Sequence, residues 1–169
     1  MTKVAIITAR GGSKRIPGKN IKEFCGKPII SYSIQAALES KLFDEVMVST
    51  DSLEIADVAQ QYGAIVPFFR SASTSDDYAV MAEVLQEVLD KYKAQGNMFD
   101  VMCCIYPTAP FVTGSKLQAA YDVFEKSGAE MLQSVVPFSY PPQRSFCLQK
   151  DFLVYNFPEH VSMMPSHVD

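Results

Sequence analysis

The chain opens with Lys3–Thr8, KVAIIT, a β-branched apolar run that stops at Gly11-Gly12, the pattern of a buried strand followed by a loop. That loop runs to about Pro28. Ile30, Ile34, Ala37 and Leu38 then fall at i, i+4, i+7 and i+8, so residues 29–40 are expected to form a helix with one apolar face. A second strand is expected at 45–50, EVMVST. Asp51 as N-cap with Glu54 three residues on predicts a capping box, Ile55, Val58, Ala59 and Tyr62 supply the stripe of the next helix, and Gly63 ends it.

The alternation continues. A short apolar piece at 65–69 precedes Asp76-Asp77 and a long helix to about Ala94, with Val84, Val88 and Tyr92 on one side and Gly96 just beyond. VMCCIY at 101–106 reads as a strand, 115–127 as a helix with Leu117, Ala120, Tyr121 and Phe124 inward, and 131–136 as another strand. Strands alternating with helices over short connections predict an α/β fold, a doubly wound, mostly parallel sheet with helices on both faces. After Pro137 the segment PFSYPPQRSF carries three prolines in ten residues, and FCLQ and FLVYNF read as two short strands. The expected division is therefore a domain over 1–136 and a small β excursion over 137–169.

Composition narrows the class. With 169 residues, 48% of them apolar, the chain can bury a core. No run approaches the 18 or more apolar residues of a membrane helix, and the first ten residues do not read as a signal peptide, so a cytoplasmic protein is expected. The four cysteines form no C-x-x-C pair, and the two histidines, His160 and His167, offer little for a metal centre or a serine-type triad and read as part of a solvated tail.

The net charge of -4 conceals an asymmetry. Before Glu23 there is no acidic residue, while Lys3, Arg10, Lys14, Arg15, Lys19 and Lys22 give the first 22 residues +6 and leave -10 for the rest. Most of this charge sits in ARGGSKRIPGKN, residues 9–20, directly after the first strand, at the edge of a parallel sheet where ligands bind. Glycines that expose backbone N–H groups, surrounded by arginine and lysine, suit a polyphosphate. The loop is not a P-loop, because Gly12 and Gly18 enclose five residues and Asn20 stands where Ser or Thr belongs; nor does it contain G-x-G-x-x-G. On these residues alone a nucleotide or sugar phosphate site, a solvated basic loop and a nucleic-acid contact all stay open, the last disfavoured by the acidic body and the absence of aromatic residues from the loop.

The stretch IITARGGSKRIPGKNIKEFCGKPIISYSI (6–34) resembles the first signature of the nonulosonate cytidylyltransferases, the makers of CMP-sialic acids. LFDEVMVSTDSLEIADVAQQYGA (42–64), FRSASTSDDYA (69–79) and CCIYPTAPF (103–111) resemble later family segments in the same order. YPTAPF and PFSYPPQRSF are most similar to the pseudaminic acid branch. The resemblance implies a nucleotide-diphospho-sugar transferase-like fold and a reaction in which CTP and a nonulosonic acid give a CMP-sugar and pyrophosphate, with Mg²⁺. N-acetylneuraminic, legionaminic and eight-carbon acid sugars are the other substrates considered, and a non-catalytic nucleotide-binding remnant is the reading of a different class. Arg10 and Lys19 match the catalytic cations. Ala9, Arg10, Ser13, Lys19, Asn20, Arg70, Ser75, Asp77 and Thr108 match CTP-binding positions, Asp76 and Asp77 reading chiefly as a helix cap. Gln143 and Arg144 are the candidates for the sugar acid. The resemblance also implies a homodimer built through the segment after Pro137, no nucleic-acid or membrane partner, and a role in flagellin glycosylation or cell-surface polysaccharide.

Two departures stand out. Where many relatives follow DDYA with Thr or Ser, this chain has Val80 and Met81. The family also continues past the point matching Asp169 into an HDAG-like stretch whose aspartate binds magnesium, so no metal ligand is expected in this chain and its transferase activity is expected to be weak or absent.

Overall fold

The computed structural model describes residues 1–139 and 142–160, the last of these by its backbone only. Two compact units are present, 1–130 and 131–169.

In the first unit β1 (Lys3–Thr8) lies between β4 (Glu45–Ser49) and β5 (Val101–Ile105), parallel to both. Two very short strands between β1 and β4, β2 (Glu23–Phe24) and β3 (Lys27–Pro28), form a small hairpin inside the long loop, which the apolar pattern does not announce. The central strand is buried on both faces, which explains why KVAIIT is continuous rather than alternating. Ala5 and Ile7 point into one cluster with Ile30, Ile34 and Ala37 of α1 (Ile30–Ser40), Ile55 and Ala59 of α2 (Leu53–Gln61), and Leu117 of α5 (Gly114–Ser127). Val4 and Ile6 point the other way, onto Val88 and Tyr92 of α4 (Met81–Ala94). Tyr92 is wedged edge-on between Phe68 and Phe99 and donates its hydroxyl to the Glu45 carboxylate. Helices thus cover both faces of a parallel sheet, as the alternation of elements predicts.

The strand order places β4 on one side of β1 and β5 on the other, so the chain reverses its direction of winding at β1. The loops after β1 and β5 therefore flank a topological switch point at the carboxyl edge of the sheet.

Three local expectations are corrected. Asp51 does not cap α2: Ser52 does, its hydroxyl accepting from Ile55 N–H, and Asp51 is diverted to a long-range partner. Asp76 closes a turn by accepting from the N–H groups of Tyr78 and Ala79, while α4 begins only at Met81, where Glu83 accepts from Val80 N–H. Just before Asp76 lies an unforeseen single helical turn, α3 (Ala72–Ser75). Residues 131–136 form no strand; Met131, Val135 and Val136 are largely exposed. Their β-branched pattern fits a strand, but among the described residues no neighbouring strand offers them a ladder.

The second unit contains an antiparallel hairpin, β6 (Phe146–Gln149) and β7 (Phe152–Tyr155), with Phe146 opposite Tyr155 and their rings 4.4 Å apart. Lys150 turns it with φ +56°, and Asn156 closes its open end on Ser145 through main chain and side chain. Both expected strands are formed. Of the two histidines, His167 lies outside the described residues, as does the terminal MMPSHVD.

Candidate functional site

The basic loop leaves the sheet under tight control. Ala9 is fully buried and gives its N–H to Ser49 O at 2.9 Å, continuing the β1–β4 ladder one residue beyond the strand. Gly11 gives its N–H to Asp51 Oδ1 at 2.7 Å. A Cβ on Gly11 would come within 3.0 Å of Ser52 Cβ, so the glycine is what lets the loop lie against the start of α2. Asn20 is buried at the far end of the loop, and its Nδ2 donates to Arg10 O at 2.9 Å, drawing the two ends together. Its Oδ1 is buried with no partner among the described residues, an acceptor held ready beneath the loop.

The cations divide into two groups. Arg10 is paired with Asp77, Nη2 to Oδ1 at 2.8 Å, and also donates to the carbonyls of Ser75 and Asp76. Lys14 binds the other oxygen of the same carboxylate. The hydrogen bonds from Lys14 and Arg10 hold Asp77 below the usual carboxylate range. Lys19 is exposed and has no ion pair among the described residues, so its charge faces outward.

Arg70 is half-buried and stitched to the sheet edge. Its backbone N–H meets Thr50 O at 2.8 Å, its Nε and Nη2 meet the hydroxyl and carbonyl of Ser49, and its Nη1 reaches Thr74 O at 3.5 Å. Burial pulls its pKa down, opposed by Asp51 and Glu87. Ser75 uses its hydroxyl locally, on Ser71 O at 2.7 Å, and offers its carbonyl to Arg10.

The structure thus gathers Ala9, Arg10, Asn20, Arg70, Ser75 and Asp77 around the carboxyl ends of β1 and β4. Ser13 stays in the loop, its N–H on Gly11 O. Thr108 follows β5 at the same edge of the sheet, in a segment tied down by Ser33 Oγ donating to Tyr106 O at 2.8 Å, and no hydrogen bond joins it to the loop among the described residues. Gln143 and Arg144 belong to the second unit, in a single 3₁₀ turn, Pro142–Arg144.

Asp77 is therefore not simply a helix cap: its carboxylate pairs with Arg10 and Lys14 of the loop. Asp51 and Ser49 are site residues that local patterning misses, since each acts across the sheet on a residue far away in sequence. Among the described residues no three Asp, Glu, His or Cys side chains are grouped to hold a metal ion. Asp77 is committed to two cations and Asp51 to Gly11, so these residues do not form a magnesium cage.

Comparison with known proteins bears on family and fold. A cytidylyltransferase family profile matches residues 4–145. The chain is 46% identical over 159 residues to a pseudaminic acid cytidylyltransferase of Campylobacter jejuni, spanning 94% of this chain and 68% of that one. It is 40% identical to a CMP-N,N'-diacetyllegionaminic acid synthase of Legionella pneumophila over 88% of this chain and 62% of the relative. In fold it is similar to CMP:2-keto-3-deoxy-manno-octonic acid synthetase, solved with CTP, at a TM-score of 0.63 and 24% identity over 76% of this chain and 49% of that one. The match begins in the central strand, passes through the loop that β4, Asp51 and Asp77 hold in place, and extends past β5, so the chain belongs to the cytidylyltransferase family.

Proposed function

We propose that the chain transfers CMP from CTP to a nonulosonic acid, pseudaminic acid before others, with release of pyrophosphate. The observation that carries the substrate is the 46% identity to the Campylobacter pseudaminic acid enzyme across nearly the whole chain, against 40% to the legionaminic acid enzyme. A flagellin modification protein of Campylobacter coli, 36% identical over 135 residues, supports a use of the product in flagellin glycosylation.

In this reading the triphosphate lies over residues 9–20 at the carboxyl edge of β1. Lys19, exposed and without an ion pair among the described residues, meets the phosphates first, and Arg10 turns from Asp77 toward the charge that develops on the α-phosphate and the leaving pyrophosphate. The sugar's anomeric oxygen attacks the α-phosphorus, a new P–O bond forms, the bond to the β-phosphate oxygen breaks, and the hydroxyl proton passes to solvent or base. Catalysis is then mainly positioning and neutralisation. Ser13 adds a hydroxyl to the phosphates, and Asn20 Oδ1 accepts from the nucleotide. Ala9 has its N–H engaged, so its carbonyl is the group it offers the base. Arg70, Ser75 and Thr108 border the nucleoside, and Gln143 with Arg144 takes the sugar carboxylate.

Magnesium belongs to this reading by family resemblance, but the described residues do not supply its ligands and no step is derived through it. A cytoplasmic setting follows from the use of CTP, and no described helix is long and apolar enough to cross a membrane. A homodimer is proposed through the second unit, whose hairpin exposes Leu148, Phe152 and Leu153.

The test is pyrophosphate release from CTP, Mg²⁺ and a panel of nonulosonic acids, with calorimetric CTP binding alongside. Turnover with pseudaminic acid supports the reading. CTP binding without turnover for any acid identifies a nucleotide-binding remnant.

A further inference from the structure

Glu87 lies on α4, outside the basic loop, yet both oxygens of its carboxylate accept from two donors each. Oε1 accepts from Ser71 N–H at 2.8 Å and from Lys91 Nζ at 2.6 Å. Oε2 accepts from Ser71 Oγ at 2.9 Å and from the Thr74 hydroxyl. Its side chain is only 15% exposed. Lys91 also spans to Phe69 O at 2.7 Å, so one helix face grips the chain from 69 to 74.

That gripped segment is the one whose next carbonyls hold the site. Thr74 O receives Arg70, and the carbonyls of Ser75 and Asp76 receive Arg10. α3 is a single turn with no apolar residue buried, so packing does not fix it; the Glu87 carboxylate does.

We infer that Glu87 is a positioning residue for the triphosphate site: by clamping Ser71 and Thr74 it sets the carbonyls of Ser75 and Asp76 that aim Arg10. The inference rests on the CTP reading above. α4 supplies the anchor because its opposite face, Val84, Val88 and Tyr92, is locked into the core. The clamp transmits that rigidity to a guanidinium on a different element.

The experiment is calorimetric binding of CTP and of CMP to the whole chain as wild type, Glu87→Gln, Arg10→Ala and the double variant. Glu87→Gln keeps the size of the side chain and removes its charge. It weakens CTP binding about tenfold, the scale of one lost charge-assisted hydrogen bond, and leaves CMP, which lacks the outer phosphates, nearly unchanged. In the Arg10→Ala background it adds no further loss. If Glu87→Gln does not fold, Thr74→Val, which removes one donor and keeps the carboxylate, takes its place in the same comparison. Equal weakening of CTP and CMP, an undiminished loss in the Arg10→Ala background, or unchanged CTP binding overturns the inference. A wild-type chain that binds no CTP overturns the functional reading and this inference with it. Wild-type binding with an unaffected variant overturns this inference alone.

Discussion

Asp77 occupies Arg10, with the guanidinium 2.8 Å from its carboxylate and Lys14 on the other oxygen. A polyphosphate arriving at the loop competes with this internal anion. Asp77→Asn leaves the carbonyls of Ser75 and Asp76 to orient Arg10 but removes the competing charge. CTP binding is therefore expected to tighten about threefold at low ionic strength, with the gain shrinking as salt screens the cations. Titrations at low and physiological ionic strength check this, and weaker binding by the variant at both would show that the carboxylate orients more than it competes. The melting temperature is expected to move little, because the pair is partly solvated.

Glu87 gives the chain a specific acid response. Burial works to raise its pKa, but hydrogen bonds from Lys91, Thr74 and Ser71 outweigh it and hold the group down from 4.5 to about 2. A depressed carboxylate stabilises the folded state above its unfolded pKa, and that contribution is lost as pH falls from about 4.5 toward about 2. Acid unfolding followed by circular dichroism should therefore show a flatter dependence over this window in Glu87→Gln than in wild type. Parallel profiles would remove the clamp as its source.

Arg70 joins β4 to the segment that follows it through hydrogen bonds to Ser49 and Thr74. Arg70→Ala leaves those acceptors unmatched and is expected to cost about 1–3 kcal/mol in urea unfolding. Arg70→Lys should recover only part of it, since an ammonium cannot reproduce the planar fork. Full recovery by lysine would mean that charge alone matters there.

Gly114 opens α5 where that helix meets the end of α1. A Cβ there would sit 2.9 Å from Ser40 N and 3.0 Å from Glu39 C, backbone atoms that cannot step aside, and Gln118 beside it donates to Ser40 O at 2.9 Å. Gly114→Ala is expected to destabilise the first unit by about 1–3 kcal/mol through overpacking, despite alanine's better helix propensity. Thermal unfolding measures it, and a more stable variant would show that α5 shifts freely.

Sequence pattern reveals the frame of this fold well and its cross-links poorly. KVAIIT, the spacing of Ile30, Ile34 and Ala37, and the row Val84, Val88, Tyr92 identify β1, α1 and α4 because burial of those positions is periodic. Asp51 illustrates the limit: its local context fits a helix cap, but Gly11 N–H from the neighbouring strand's loop takes the carboxylate, and Ser52 caps instead. Glu87 has no local mark at all, being one acid in a polar helix face, and its role exists only once Ser71 and Thr74 fold against it. Residues 131–136 fail in the opposite way, with strand-like composition and no ladder to join. The extended motif from Ile6 to Ile34 identified the family, whereas the pairing of Arg10 with Asp77 is visible only in three dimensions.

The locks on the basic loop also imply an order of assembly. Gly11 waits for Asp51, 40 positions later, and Arg10 waits for the carbonyl of Asp76, 66 positions later. A chain emerging from the ribosome can form α1 from neighbouring residues, but β1 has no ladder until β4 arrives, and the basic loop has no fixed shape until β4, the turn after Arg70 and the anchoring helix are in place. Loop closure of that length is slow relative to helix formation. The proposed site is thus a late product of folding, and slippage between residues 50 and 91 should leave it unformed.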